Sequence, residues 1–291
     1  MKFCRASTIR VSANAFNTLA GSIESGITPA ARAAVDIALH DAFTKHLDIS
    51  LAKFLGQEIN SLPTSVTIGI KNVEDTIEEA KEYHGLGFRV LKVKTGHSVD
   101  IDIERMFKLK ETFGKEMTIR VDANQGYSRN DLDKFYQATS NIPIELIEQP
   151  VPADAIDMLK ALPENIKKLI AADESLKSPY DAFNLANAPS ACGIFNIKLM
   201  KSGGVYPGMQ IANIAKHSNT ELMWGCNDES SVSITAALHA ALSSSMTRYI
   251  DLDGSLDLEV DVVNGGFTIE NGYMRVTDAP GLGLTLIEEN I

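Results

Sequence analysis

With 291 residues the chain suits one barrel-sized domain, and 44% hydrophobic against 22% charged residues allow a large core and exclude general disorder. A formal net charge of -11 without any basic cluster excludes the nucleic-acid backbone as a partner. No apolar run reaches the ~18 residues of a membrane span, and the scattered Cys4, Cys192 and Cys226, with no C-x-x-C pair, exclude a zinc or redox framework and fit a reducing, cytoplasmic setting.

In chain order, residues 1–23 carry Lys2, Arg5 and Arg10 and no acid, a faint echo of an organelle transit peptide, but they lack the apolar core of a secretory signal. The segment TPAARAAVDIALHDAFTKHL follows, with Thr28 as N-cap and Pro29 in the first turn of a predicted helix. Eight strand-like runs come next, ending at Ile70, Lys94, Asp122, Glu148, Asp173, Lys198, Gly225 and Asp251, at intervals of 24, 28, 26, 25, 25, 27 and 26 residues. Between them lie stretches with helical spacing, such as 73–87 and 204–218.

Strands alternating with helices at this period predict parallel βα units, and eight strands close into a barrel. The expectation is an α/β fold, a (β/α)7β TIM-type barrel over residues 27–255, with the helix from Pro29 covering the face that lacks a crossover helix. Residues 256–291 contain a hairpin signal, FTIENGYMRV, with Asn271-Gly272 at the turn.

Active sites of such barrels lie at the C-terminal strand ends. In VLKVKTG, Lys92 and Lys94 are two residues apart and share one face of the second strand; Leu91 and Val93 suit the helix-packed outside, so both lysines point inward. A second K-x-K, Lys108 and Lys110, falls in a helical stretch and reads as solvated surface. The third, fourth and fifth strands end on Asp122, Glu148 and Asp173. Each acid alone would be read as a helix N-cap. On neighbouring strands about 4.8 Å apart, three carboxylates repel unless a cation sits among them, and oxygen-only ligation suits Mg2+ better than zinc. Lys198 ends the sixth strand, opposite Lys94 in a ring of eight, where like charge and desolvation favour a lysine acting as base; the alternative is a structural ion pair with one of the acids. Asp251 and Asp253 share a face at the end of the eighth strand and suit a cationic ligand group such as an ammonium. The other D-L-D, at Asp131 to Asp133, opens a helix and reads as a solvated first turn.

This ordered set resembles the enolase superfamily, and within it the muconate-lactonizing subgroup and its dipeptide epimerases. The resemblance spans about residues 27–255. It implies Lys94 as a base with Lys92 as the electrostatic neighbour that keeps its pKa low, Lys198 as the opposed base, and Asp122, Glu148 and Asp173 as Mg2+ ligands. It further implies Asn124, Glu174 and Cys226 in supporting places, and Asp251 and Asp253 on the α-ammonium of a small-molecule dipeptide. The implied reaction is epimerisation by 1,1-proton transfer through a metal-stabilised enediolate.

The sequence departs from the family pattern at Asn227, where a Met is more usual, and in its N-terminus. Residues 1–26 read as a remnant of an α+β capping domain, and residues 256–291 as the segment returning to it, so most of the lid is expected to be missing. Exposed barrel helices and a missing lid favour a homo-oligomer. Two alternatives stand beside the epimerase: another Lys/Lys enzyme (an N-acylamino-acid racemase, an o-succinylbenzoate synthase or a cycloisomerase), and a truncated, inactive barrel that binds metal or ligand.

Overall fold

The structure, a computed structural model, describes residues 26–288; the expectations for the cap remnant and for a transit peptide lie outside the described residues, apart from Gly26. Helix α1 (Pro29–Leu47) begins where the sequence places it: the Thr28 hydroxyl accepts the Ala31 amide, and Asp48, at φ 57°, ends the helix. A short α2 (Leu51–Leu55) and β1 (Leu62–Pro63) lead into the barrel.

Barrel strands β2 (Val66–Ile68), β3 (Val90–Lys94), β4 (Thr118–Asp122), β5 (Ile144–Glu148), β6 (Ile170–Ala172), β7 (Ile194–Lys198), β8 (Glu221–Gly225) and β9 (Thr247–Asp251) form one parallel sheet in sequential order. Seven crossovers link them: α3 (Val73–Gly85), α4 (Val99–Phe113), α5 (Arg129–Ala138), the pair α6 (Ile156–Lys160) and α7 (Glu164–Lys167), α8 (Pro179–Ala186), the pair α9 (Leu199–Ser202) and α10 (Val205–Ser218), and α11 (Ser231–Ala241). The ring closes where β9 meets the residues before β2. Thr64 bridges Ile250 in parallel, the Ser65 amide donates to the Ile250 carbonyl at 3.2 Å, and the Leu252 amide donates to the Thr64 hydroxyl at 2.9 Å. Six of the eight predicted strand ends are the observed ones; β2 stops two residues before Ile70, and β6 stops one before Asp173.

Period-two alternation divides the core. Leu91, Val93, Ile119, Val121, Ile147, Phe195, Ile197, Leu222, Trp224 and Ile250 belong to the apolar layer outside the sheet, beneath the helices. Leu146, Ala171, Ile194 and Met223 form a separate cluster with Tyr249 inside the lumen. The inward direction read for Lys92 and Lys94 follows from this parity.

One expectation is corrected. Helix α1 does not cover the seam between β9 and β2; it packs across α9 and α10 and reaches α11. The reason is polar: Asp36, buried on α1, accepts the Val205 amide at 2.6 Å and so caps α10. The seam is bordered by β1, which lies against β9 and pairs with β12 (Tyr273–Val276) of the C-terminal hairpin. That hairpin is the predicted one, with β11 (Phe267–Glu270) and positive φ at both Asn271 and Gly272. Its β12 packs on α11 and buries Met274. Strands β10 (Val263–Gly265) and β13 (Leu284–Leu286) pair beside it.

Away from the strand ends, the bland readings hold. Lys108 pairs with exposed Glu111 on α4. Asp131 forms a capping box with Ser128 at the start of α5, and Asp133 pairs with Arg129. Cys192 and Cys226 are buried thiols. No helix among the described residues is long and apolar enough to cross a membrane.

Candidate active site

Because β3 and β4 are in register, Lys94 and Asp122 are direct partners, as are Asp122 and Glu148 across β4 and β5. Lys94 donates to Asp122 at 2.7 Å and to the Asn124 side-chain oxygen at 2.9 Å. Asn124 holds φ 41° directly after the strand, where its amide donates to Asp122 at 3.1 Å and its side chain donates to Glu174 at 3.3 Å. The supporting pair read from the sequence thus forms a chain, Lys94 to Asn124 to Glu174.

Glu148 is fully buried. One oxygen accepts from Asn196 at 2.8 Å, with Lys198 3.9 Å away, and the other is buried without a hydrogen-bond partner. Burial and the neighbouring Asp122 push its carboxyl up to about 8, against the pull of Lys92. Asp173 lies just beyond β6, held there by Gln149, whose side-chain oxygen accepts the Asp173 and Ser175 amides at 3.0 and 3.1 Å. Both carboxylate oxygens of Asp173 are engaged, Oδ2 by Lys198 at 3.0 Å and Oδ1 by Lys201, which also donates to the Asp173 carbonyl at 2.5 Å. Burial opposes the charge of Asp173, but Lys201 and Lys198 outweigh it and hold the carboxyl at about 2.

Lys198 ends β7, opposite β3 in the ring. Burial works against its charge, yet Glu148 and Asp173 outweigh burial and hold the ammonium above its ordinary value. Room for it is left by Gly225 on β8, where a Cβ would come within 2.6 Å of the Asn196 side chain and 3.2 Å of Lys198.

Lys92 is buried one layer below Lys94 and is paired with Asp251, with Asp122 at 4.0 Å. Burial opposes its charge, but Asp251 and Glu148 raise its pKa well above the usual value, so it stays an ammonium. Asp251 also accepts from the Ser65 hydroxyl at 2.6 Å, so both of its oxygens are used within the protein. Asp253 stands nearer the mouth and accepts the Thr67 amide at 2.8 Å; burial and Asp251 push its carboxyl up to about 6. The Cys226 thiol donates to the Asp251 carbonyl at 3.2 Å and is kept protonated by burial and by Asp251. Asn227 is exposed, and its backbone amide donates to Glu229 at 2.9 Å.

Among the described residues, no three His, Cys, Asp or Glu side chains stand close enough together to enclose a cation as they are. Lys94, Asn196, Lys198 and Lys201 hold the three acids individually. The donor set still fits Mg2+: it consists of hard carboxylate oxygens from successive strand ends, and the bare buried oxygen of Glu148 needs a positive partner. Three residues escaped the sequence reading. Asn196 had a signal, since it lies two residues before Lys198 and must share its inward face. Lys201 had none, because the short helix α9 that carries it past Lys198 has no hydrophobic pattern. Gln149 had none beyond its place after Glu148.

Comparison with known proteins matches residues 75–290 to the enolase C-terminal domain-like family. The chain is 55% identical over 260 residues to an L-Lys-D/L-Arg epimerase of Desulforapulum autotrophicum, covering 89% of this chain and 73% of that protein. It is 38% identical over 256 residues to an L-Ala-D/L-Glu epimerase of Clostridium acetobutylicum, covering 87% and 71%. The crystal structure of a dipeptide epimerase from Methylococcus capsulatus, complexed with Mg and the dipeptide L-Arg-D-Lys, superposes with a TM-score of 0.92 at 53% identity, covering 95% of this chain and 78% of that one. The chain belongs to the enolase C-terminal domain-like family and groups within it with the epimerases and racemases.

Proposed function

We propose that the protein is a Mg2+-dependent dipeptide epimerase acting on dipeptides with cationic side chains. The observation that carries this is the pair of lysines on opposed strands, Lys94 on β3 and Lys198 on β7, with three carboxylates between them around the ring. The substrate class rests on likeness to the L-Lys-D/L-Arg epimerases and to the complex with L-Arg-D-Lys.

Asp122, Glu148 and Asp173 would hold the cation, which when bound supplies positive charge beside the substrate carboxylate and makes the α-proton more acidic. Lys94 and Lys198 would serve opposite faces of the substrate's α-carbon: one removes the proton and the other returns one, inverting the centre. For this each must exchange its carboxylate partner for substrate. Lys92, fixed as an ammonium, places a like charge one layer below Lys94. Asp253, with Asp251 behind it, would hold the dipeptide's ammonium.

A dipeptide library in deuterated water, read by mass spectrometry, tests this. The expected result is one α-deuterium and a D/L mixture for L,L-dipeptides containing Lys or Arg, abolished by chelation and restored by Mg2+. A second reading, racemisation of N-acylated amino acids, is favoured by one observation: Lys92 and Ser65 use both oxygens of Asp251, leaving one acid for a free ammonium. A relative 32% identical over 266 residues is an N-succinyl-L-Arg/Lys racemase of Bacillus cereus. Turnover of N-succinyl-arginine with none of free dipeptides decides for that reading, and Mg2+ binding with no turnover of either marks an inactive binding barrel.

A further inference from the structure

The three carboxylates at the strand ends differ in how much of each is committed. Glu148 has one oxygen without a partner. Asp122 gives one oxygen to Lys94 and the other to the Asn124 backbone amide. Asp173 is bound on both oxygens by ammonium groups, and only one of these, Lys198, is an opposed base. The other, Lys201, sits one turn further on in α9, and its ammonium bridges the carboxylate and the main-chain carbonyl of Asp173.

That double contact has a consequence. If Asp173 turns its carboxylate toward a cation, Lys201 keeps a hydrogen bond, because the carbonyl stays with the backbone. Gln149 fixes that backbone through the Asp173 amide. The lysine can therefore release the carboxylate without becoming a buried, unpaired charge, which would be costly.

Resting on the Mg2+ reading above, we propose that Lys201 is a positioning residue that competes with the metal for Asp173. It holds the carboxylate in place when the cation is away and retreats to the carbonyl when the cation arrives. Asp173 is then the last ligand recruited, and Glu148, with its bare oxygen, the first.

Calorimetric Mg2+ titration of the protein and of two variants, alongside thermal unfolding without metal, tests this. Lys201→Met removes the competitor, so Mg2+ should bind about tenfold more tightly, since a unit charge a few ångströms from the cation is lost, while the metal-free protein unfolds at lower temperature. A purely structural lysine would give the same loss of stability with equal or weaker Mg2+ affinity, and that result overturns the proposal. Lys201→Arg keeps the charge and grips a carboxylate with a two-pronged fork, so Mg2+ should bind more weakly than to the unaltered protein; tighter binding overturns the proposal even if Lys201→Met does not fold. Absence of Mg2+ binding by the unaltered protein refutes the metal reading itself, separately from the role of Lys201.

Discussion

The upper and lower halves of the lumen are built from the same strands at the same parity, yet they are opposite environments. Below, Leu146, Ala171, Ile194 and Met223 pack against Tyr249, whose ring lies 5.3 Å from the Arg120 guanidinium carbon. Arg120 is satisfied there by Glu145 at 2.7 Å and the Ile250 carbonyl at 2.6 Å. One pleat higher on the same strands stand Asp122, Glu148, Asp173, Asn196 and Asp251, with Lys198 one pleat above Asn196. Two residues, about 6.6 Å along a strand, separate a packed plug from a cluster of buried charge. The lower half stabilises the barrel, while the upper half carries buried, like-charged carboxylates, a cost tolerated where a site needs them.

Substitutions in each half test this division, beginning with the largest expected effect. Lys94→Ala and Lys198→Ala should each lower turnover roughly a thousandfold or more and leave the unfolding temperature within a few degrees; retained deuterium incorporation with both replaced would remove the two-base scheme. Met223→Ala, in the plug, should cost about 2–5 kcal/mol of stability and leave KM nearly unchanged. If the folded Met223→Ala protein were inactive, the two halves would not be separable. Glu148→Gln should abolish Mg2+ binding while raising metal-free stability near neutral pH. The sign follows from the carboxyl being raised to about 8: its stabilising protonated form is fully present below the unfolded value near 4.3, and that contribution is lost as pH rises through about 8. Comparing unfolding temperatures at pH 5 and pH 9 for the two proteins checks it.

The smallest effect belongs outside the lumen. His239 on α11 accepts the Ala52 amide at 2.9 Å, and burial holds its pKa down to about 4. A depressed imidazole contributes stability that is complete above its unfolded value near 6.5 and is lost as pH falls through about 4. His239→Gln should flatten the decline in unfolding temperature between pH 6.5 and 4.

Much of this was legible in the sequence because both controlling periods are strict. A spacing of about 26 residues exposes the barrel, and a spacing of two exposes which side chains meet inside it. The Lys92/Lys94 pair, the three acids and Lys198 follow from those two rules together. Contacts that obey neither period were hidden. The path of α1 depends on Asp36 capping a helix 169 residues away, and the grip of Lys201 on Asp173 depends on a short helix, α9, that no hydrophobic pattern marks. The engagement of Asp251 by Lys92 was hidden for another reason: parity gives the inward direction of Lys92 but not its partner.

The seam at Thr64 also orders events in time. Ser65 bonds Asp251 and Thr67 bonds Asp253 across 186 residues of sequence, so the acids proposed for the ammonium gain their partners only when the last strand docks on the first. Pairings of such separation are slow to form. Refolding followed by turnover should therefore lag refolding followed by helix signal, with ligand recognition appearing at the moment the ring shuts.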